Sequence, residues 1–405
     1  MWKTIRKGLN MDSEMFLKGV RVLELGHTVA GPFCAMLLSD LGADVIKIEE
    51  PGTGDFGRGQ YPVVDGQSAV YLSMNRNKKS VALNLKSTEG REILYKIAET
   101  SDVVVTNFRS DAVEKLGADY EALKKLNPEI IYCSISGFGE GPYSDRPAYD
   151  PVLQGMGGYM GITGEEGRPP VRVGVAVVDL STGMYAALAI LGALVGKTKT
   201  GKGQNIEVTL FDAAAAWMSY AAHYYFITGK QPPKMGSGHF AVVPYQCFET
   251  KDGKYVTVCC GNETTWKRLC SALDRKELAD HPNFSSNVKR VENRNKLVPM
   301  LEQIFLSKTR DEWLQILLKA DVPCGPVYDM KELFSDPQII HRNMLVEISH
   351  PTLGRVKQIM SPMKFSNVEF SVIHPPTLGE HTVEILREIG YSDNTVKELR
   401  NKGVI

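Results

Sequence analysis

Two aspartates stand in surroundings that make their charge expensive. Asp179 lies in VGVAVVDLSTGMYAALAILGAL, between an apolar strand-like run and an apolar helix-like run, and Asp150 lies in AYDPVLQGMGG. An isolated carboxylate between such runs is costly to desolvate, so it serves as a helix N-cap, pairs with a charge, or is kept for chemistry. For Asp179, a cap on a helix opening at Leu180 and a functional carboxylate are both open readings. They are compatible, because a helix N-terminus also favours an anion.

The other routes to catalysis find less support. The eight histidines are dispersed with no pair at ligand spacing, so no metal site is expected. His27 and His239 sit in glycine-containing loops, where each is either a ligand contact or a hydrogen-bonded turn residue. No GxSxG elbow is present. The turn LELGHTVAGP holds Gly26 and Gly31 without GxGxxG spacing, and no GK[ST] follows, so Glu49 and Glu50 read as a strand end rather than as ribose-binding acids. The seven cysteines are scattered, odd in number and form no CxxC pair, which fits a reducing compartment.

These residues need a scaffold, and the apolar periodicity supplies one. VRVLELG is strand-like, residues 32–41 carry apolar side chains at helical spacing, and ADVIKIEEP returns to strand, a βαβ opening. Strand-like DVVVTNF and IIYCSISGFG then alternate with helix-like residues 89–100 and 112–125, which predicts a parallel sheet with helices on its faces. Loops at residues 137–147 and 161–172 precede a long buried helix beginning near Ser181. After Phe226 the pattern changes. Two strands flank a Lys-Asp-Gly turn in PYQCFETKDGKYVTVCC, and two amphipathic helices span residues 293–320. The expected organisation is an N-terminal extension (1–15), a large domain (16–225, completed by 331–405) and a smaller α+β domain (226–330), with a helix at 382–389 packing back on the large domain.

Charge narrows the partners. Lys and Arg number 47 against 47 acidic residues, so no broad field gathers polyanions and nucleic acid is excluded as a partner. Asn75-Arg76-Asn77-Lys78-Lys79 is a local basic cluster, read either as a grip on a phosphorylated small molecule or as a solvated turn before a strand. The longest apolar runs, 184–195 and 213–222, are about half of a bilayer span, so no membrane segment is expected. MWKTIRKGLNM has three basic residues, no acid and apolar residues at helical spacing. It is either a fragment of a mitochondrial presequence or a disordered extension.

Ordered blocks along residues 17–391 resemble the class III CoA-transferase family, which includes formyl-CoA:oxalate and carnitine CoA-transferases and the α-methylacyl-CoA racemases. They include GVRVLELGHTVAGPFCAMLLSDLGADVIKIEEPGTGD, MNRNKKSVALNL, NFRSDAVEKLG, SISGFGEGPYSDRPAYDPVLQGMGG, VVDLSTGMYAALAILGAL, KTGKGQNIEVTLFDA and PPTLGEHTVEIL. The resemblance implies an α/β fold with a parallel Rossmann-like sheet and a smaller α+β domain in an interlocked homodimer. It implies that Asp179 is the nucleophile, that the thioester and pantetheine pass Thr28, Val29 and Ala30, and that the nucleotide end lies near Asn107, Phe108, Arg109 and Lys115. Gly236, Ser237 and Gly238 match the family's mobile active-site loop. Val29 stands where the formyl-CoA transferases carry glutamine, so that branch's substrate preferences do not transfer. Together with the N-terminal segment the resemblance points to mitochondria, and without that segment to the cytoplasm.

The activity so implied is movement of CoA from an acyl-CoA, with succinyl-CoA as the expected donor, to a small acid such as the dicarboxylate glutarate. Trading one thioester for another requires no metal, ATP or redox cofactor. An ionised aspartate attacks the acyl carbonyl, and backbone N–H groups near Ala30 and in the 236–238 loop are expected to meet the oxyanion. Excluding water protects the anhydride. The racemase branch carries histidine before the residue matching Asp150. Here that position is Tyr149, a poor base at neutral pH, which favours transfer. A catalytically silent CoA-binding protein is the remaining alternative. Arg146, Arg168, Arg172 and His27 are unranked candidates for a second substrate carboxylate.

Overall fold

The computed structural model describes residues 15–405 apart from residue 369. The presequence reading of MWKTIRKGLNM lies outside the described residues. The chain forms two compact units: one comprises the chain up to Gly157, Gly174–Trp217 and Gln338–Ile405, and the other comprises Gly158–Val173 and Met218–Pro337.

The first unit is built on a six-stranded sheet. Its strands are β1 (Arg21–Leu25), β2 (Asp44–Glu49), β3 (Lys78–Ala82), β4 (Val103–Thr106), β5 (Ile131–Ser136) and β6 (Gln204–Thr209), and every neighbouring pair is parallel. Their order across the sheet is β3-β2-β1-β4-β5-β6. The chain therefore builds outward from β1 in one direction, returns, and builds outward from β4 in the other. The carboxyl ends of β1 and β4 face the crevice where the winding reverses, which is where such sheets bind ligands. Val22, Leu23, Leu25, Val103, Val104 and Val105 are fully buried, as expected of strands covered on both faces.

Helices cover the sheet. Between β1 and β2 lies α1 (Ala30–Asp40). Next, α2 (Thr88–Glu99) buries Ile93, Leu94, Ile97 and Ala98 and is capped by Ser87, whose Oγ accepts from Gly90 N at 3.0 Å. The single helix expected over 112–125 is two, Ser110–Leu116 and Tyr120–Leu126. Gly117 (φ 67) ends the first and Asp119 caps the second by accepting from Ala122 N. Then come α3 (Asp150–Met156) and α4 (Val177–Thr200). The latter opens four residues earlier than its apolar pattern suggests and has 24 residues. By length and composition it is long enough to cross a bilayer, unlike the shorter runs visible in the sequence. It packs along α1, β5 and β6 and leaves Met184, Tyr185, Leu188 and Val195 exposed.

The basic cluster at 75–79 is neither a solvated turn nor an open anion grip. Asn75, Arg76 and Lys78 are buried, Lys78 opens β3, and Arg76 is ion-paired with Asp40. The tail returns to this edge of the sheet, where Thr382 Oγ1 accepts from Ala82 N at 2.9 Å and Ser80 Oγ accepts from Gly379 N at 2.9 Å.

The second unit carries the expected hairpin, Tyr245–Glu249 with Tyr255–Cys259, and a third strand at Cys324–Pro326. Its core gathers Phe248, Trp266, Phe305 and Trp313 under the helices Glu263–Ala272, Arg294–Phe305 and Arg310–Lys319.

Candidate active site

The turn from Gly26 to Val29 joins β1 to α1 at the crevice, and Asn107, just beyond β4, is its peg. Asn107 Oδ1 accepts from His27 N at 2.8 Å, and its Nδ2 donates to His27 O at 2.9 Å. A Cβ on Gly26 or Gly31 would stand 3.2 or 3.1 Å from the Asn107 side chain, a tight approach that favours glycine at both positions. Asn107 thus pins the turn while also lining the cavities beside it.

Thr28 has φ 67, an uncommon conformation for a β-branched residue that costs about 1–3 kcal/mol and persists only where its surroundings hold it. Asp55 is one such restraint: its Oδ1 accepts from Thr28 N at 2.9 Å and Gly57 N at 2.7 Å. Behind it lies a buried ionic cluster. Lys47 Nζ reaches Asp55 Oδ2 at 2.9 Å, Glu24 Oε1 at 2.8 Å and the Gly26 carbonyl at 2.7 Å. Lys78 Nζ reaches Glu24 Oε2 at 2.8 Å, and Arg58 pairs with Glu49 at 2.7 Å. Burial opposes the charge on Lys47, but Asp55, Glu24 and Glu49 outweigh it and hold the ammonium's pKa well above the usual lysine value. Burial likewise opposes ionised Asp55, and Lys47 with hydrogen bonds from His27 and Gly57 N–H outweighs it, holding the carboxyl far below its ordinary range. Lys78 is pulled down to about 8 by burial despite Glu24.

The start of α4 is different. Asp179 is its third residue and makes no side-chain cap. The N-cap reading of Asp179 is therefore corrected: capping comes from Asp150, whose Oδ2 accepts from Val178 N at 2.8 Å and Asp179 N at 3.3 Å, while its Oδ1 accepts from Gln154 Nε2 at 2.5 Å. Sequence separation hid this, since the cap sits 29 residues upstream of Asp179. The Asp179 carboxylate has no hydrogen-bond or ion-pair partner among the described residues. Burial, and then the charge of Asp150, push its pKa up to about 7. Gly183 Cα permits close packing here, as a Cβ would stand 2.7 Å from the Ala30 carbonyl.

One cavity of about 550 Å³ in the first unit is lined by Asp179 together with Thr28, Val29, Ala30, Asn107, Phe108 and Arg109. Tyr149, Arg146 and Glu207 also line it. No acceptor among the described residues takes the N–H of Val29, Ala30 or Gly31, and α1 has no side-chain cap. The next residue, Pro32, has no N–H. The helix therefore presents open donors in the cavity that holds the bare carboxylate.

Beside it, an apolar slot of about 390 Å³ runs along Ile48, Leu83, Leu85, Phe108 and Leu116, with Lys86 and Arg109 also lining it. The sequence reading missed this slot, because its walls are ordinary-looking strand ends separated by dozens of residues. Lys115 lines neither cavity: it is exposed and reaches Asp111 at 3.3 Å, a carboxylate shared with Arg109. Arg146 lines the cavity with its guanidinium 3.8 Å from the centroid of Tyr143, whereas Arg168 and Arg172 belong to the other unit.

The glycine loop lies in the second unit. Gly236 N donates to Gly164 O at 2.7 Å and Gly238 N to Met235 O at 2.8 Å, so neither N–H is open to an oxyanion in this conformation. Ser237 Oγ accepts from Cys247 N at 3.1 Å, and Arg294 donates to the carbonyls of His239 and Phe240.

Residues 17–382 match the model of CoA-transferase family III. The chain belongs to that family. This CoA-transferase is 41% identical to succinyl-CoA:glutarate CoA-transferase of Homo sapiens over 409 residues, covering 100% of this chain and 93% of the human one. It is 36% identical to succinate--glutarate CoA-transferase of Agrobacterium fabrum, covering 94% and 97%. The crystal structure of a CAIB/BAIF family protein from Brucella suis superposes with a TM-score of 0.84 at 39% identity, covering 93% of this chain and 100% of that one.

Proposed function

We propose that this family III enzyme transfers CoA from succinyl-CoA to glutarate, with Asp179 as the nucleophile. The observation that carries the mechanism is an unpartnered carboxylate in the same cavity as the open N-terminus of α1. The substrates are taken from the names of the human and Agrobacterium relatives.

Ionised Asp179 attacks the succinyl carbonyl, the C–S bond breaks and CoA thiolate leaves, giving a mixed anhydride. The thiolate attacks the aspartyl carbonyl and releases succinate, leaving an aspartyl-CoA thioester. Glutarate repeats the two steps in reverse, ending with glutaryl-CoA and free Asp179. Each tetrahedral oxyanion is met by the Val29 and Ala30 N–H groups, strengthened by the α1 dipole. The pantetheine arm runs along Thr28, Val29 and Ala30. The adenine takes the apolar slot beside Phe108, with Arg109 and Lys86 near the phosphates and Lys115 further out. Tyr149 on the cavity rim speaks for transfer rather than racemisation.

The exposed apolar side of α4 is covered by a second copy of the chain, so the working enzyme is a homodimer. We place it in mitochondria, on the strength of the basic, acid-free segment MWKTIRKGLNM and the family resemblance. The test is a screen of acceptor acids with succinyl-CoA, read by chromatography of the CoA esters, alongside hydroxylamine trapping at Asp179. Glutarate should be the preferred acceptor and the modified peptide should contain Asp179. A preference for oxalate, or modification elsewhere, would overturn the respective half.

A further inference from the structure

Thr28, Val29 and Ala30 line the cavity, whereas Asp55 does not; it lies behind them, 1% exposed. We propose that Asp55 is a positioning residue for CoA transfer: it clamps Thr28 in the left-handed conformation and so aims the Val29 and Ala30 N–H groups at the oxygen of the carbonyl that Asp179 attacks. The inference rests on Asp179 as nucleophile.

Three observations support it. Thr28 is the only β-branched residue with positive φ among the described ones, and a short path leads from its N–H to the Asp55 carboxylate. Asp55 is itself immobilised from behind, with Lys47 on Oδ2 and Glu49 Oε2 accepting from its N–H at 2.9 Å. Gly57, the other N–H on Oδ1, sits so close that a Cβ would stand 3.2 Å from Asp55 Oδ1 and in ordinary contact, 3.5 Å, with Thr28 Cα, which places clamp and turn side by side. On the far side, the Ala30 carbonyl packs against Gly183, one helical turn beyond Asp179. The clamp, the turn and the nucleophile's helix are therefore mechanically continuous. A small relaxation of Thr28 would move the donors away from the developing oxyanion, which lowers the rate of acyl transfer more than the grip on the nucleotide end.

The test exploits glycine, which adopts φ near +67 without penalty. Asp55→Asn keeps an acceptor of the same shape but loses the Lys47 ion pair. It should lower kcat on the order of 10–100-fold with KM for acyl-CoA changed less than about threefold. Adding Thr28→Gly should restore kcat by about tenfold or more relative to Asp55→Asn, because the turn then holds its conformation unaided. A merely structural role for Asp55 predicts no recovery in kcat. The proposal is overturned if the double variant is as slow as Asp55→Asn, or if the loss lies wholly in KM. If Asp55→Asn does not fold, the double variant alone decides: folded protein with transfer restored supports the clamp, while failure to fold, or a folded protein without transfer, assigns Asp55 to the ionic cluster only. Trapping at Asp179 reads the nucleophile separately, so a failure there is distinguishable from a failure of the clamp.

Discussion

Asp55 and Asp179 are two carboxylates on opposite sides of the same turn, and their surroundings are opposed. Asp55 has a lysine and two backbone N–H groups on its oxygens, and its pKa is driven far down. Asp179 has none of these, faces another aspartate, and its pKa rises to about 7. The satisfied carboxylate is a structural part whose charge is spent. The unsatisfied one is held in an unfavourable state by the fold around it, as expected of a group whose charge is used in a reaction.

The sharpest way to break the comparison is to neutralise Asp179. Asparagine has the same shape but cannot form an anhydride, so Asp179→Asn should reduce transfer by at least about three orders of magnitude. It should also stabilise the protein. The fold raises the Asp179 pKa from the ordinary aspartate value of 3.8 to about 7, so the native state binds the proton more tightly than the unfolded chain. That contribution is complete below about pH 4 and is lost as the pH rises through 7. Above pH 7 the asparagine variant should therefore be more stable, by about 2 kcal/mol after allowance for partial exposure, and melt higher. Melting scans at pH 5 and pH 8 check this, and a gain no larger at pH 8 than at pH 5 would contradict it.

Breaking the other side should do the reverse. Lys47→Met leaves Asp55 and Glu24 buried without their shared cation, which costs about 3–5 kcal/mol. Loss of stability in urea should precede any specific change in KM, and a variant that folds as firmly as the native protein would show that the cluster is not what holds the turn.

The scaffold was largely legible in the sequence and the site only partly so. The βαβ opening follows from length and composition, because VRVLELG and ADVIKIEEP are short and carry β-branched residues on either side of a run with helical spacing. The Lys-Asp-Gly hairpin follows from turn chemistry. The strand at Lys78–Ala82 was obscured because it opens on two lysines, buried Lys78 and half-buried Lys79, each paired with an acid that comes from another strand. For the same reason Asp150 could be flagged as a costly carboxylate but not recognised as the cap for α4: the pairing exists only once α3 and α4 are placed. Open N–H groups near Ala30 were expected, since a valine before the helix has no side-chain acceptor, whereas the Gly236 and Gly238 N–H groups expected beside them are taken up by Gly164 O and Met235 O.

The comparison is sharpened by titration. Asp179 must be ionised to attack, and its pKa is raised, so kcat/KM for succinyl-CoA should fall as the pH drops through about 7. Asp150→Asn removes the like charge but keeps an oxygen for the Val178 and Asp179 N–H groups. The acid limb should move to lower pH, though by less than the full shift, because burial is the larger cause and remains. An unmoved limb would mean that Asp150 acts on Asp179 only through the backbone.

The smallest effect expected is at the nucleotide end, where two cations share one acid. Arg109 lines both cavities and its Nε stands 3.1 Å from Asp111, while Lys115 lines neither and reaches the same carboxylate at 3.3 Å. Both are exposed, so each ion pair is weak and is screened by salt. A CoA phosphate would compete with Asp111 for whichever cation it can reach, and the cavities favour Arg109. Arg109→Ala should therefore raise KM for acyl-CoA by about three- to tenfold at low salt with kcat unchanged, an effect that shrinks as ionic strength rises. Lys115→Ala should change KM by less than about twofold, since it leaves Asp111 paired with Arg109. Equal losses from the two substitutions would place the phosphates further along the helix Ser110–Leu116 than the cavity walls suggest, and would shift the nucleotide away from the slot beside Phe108.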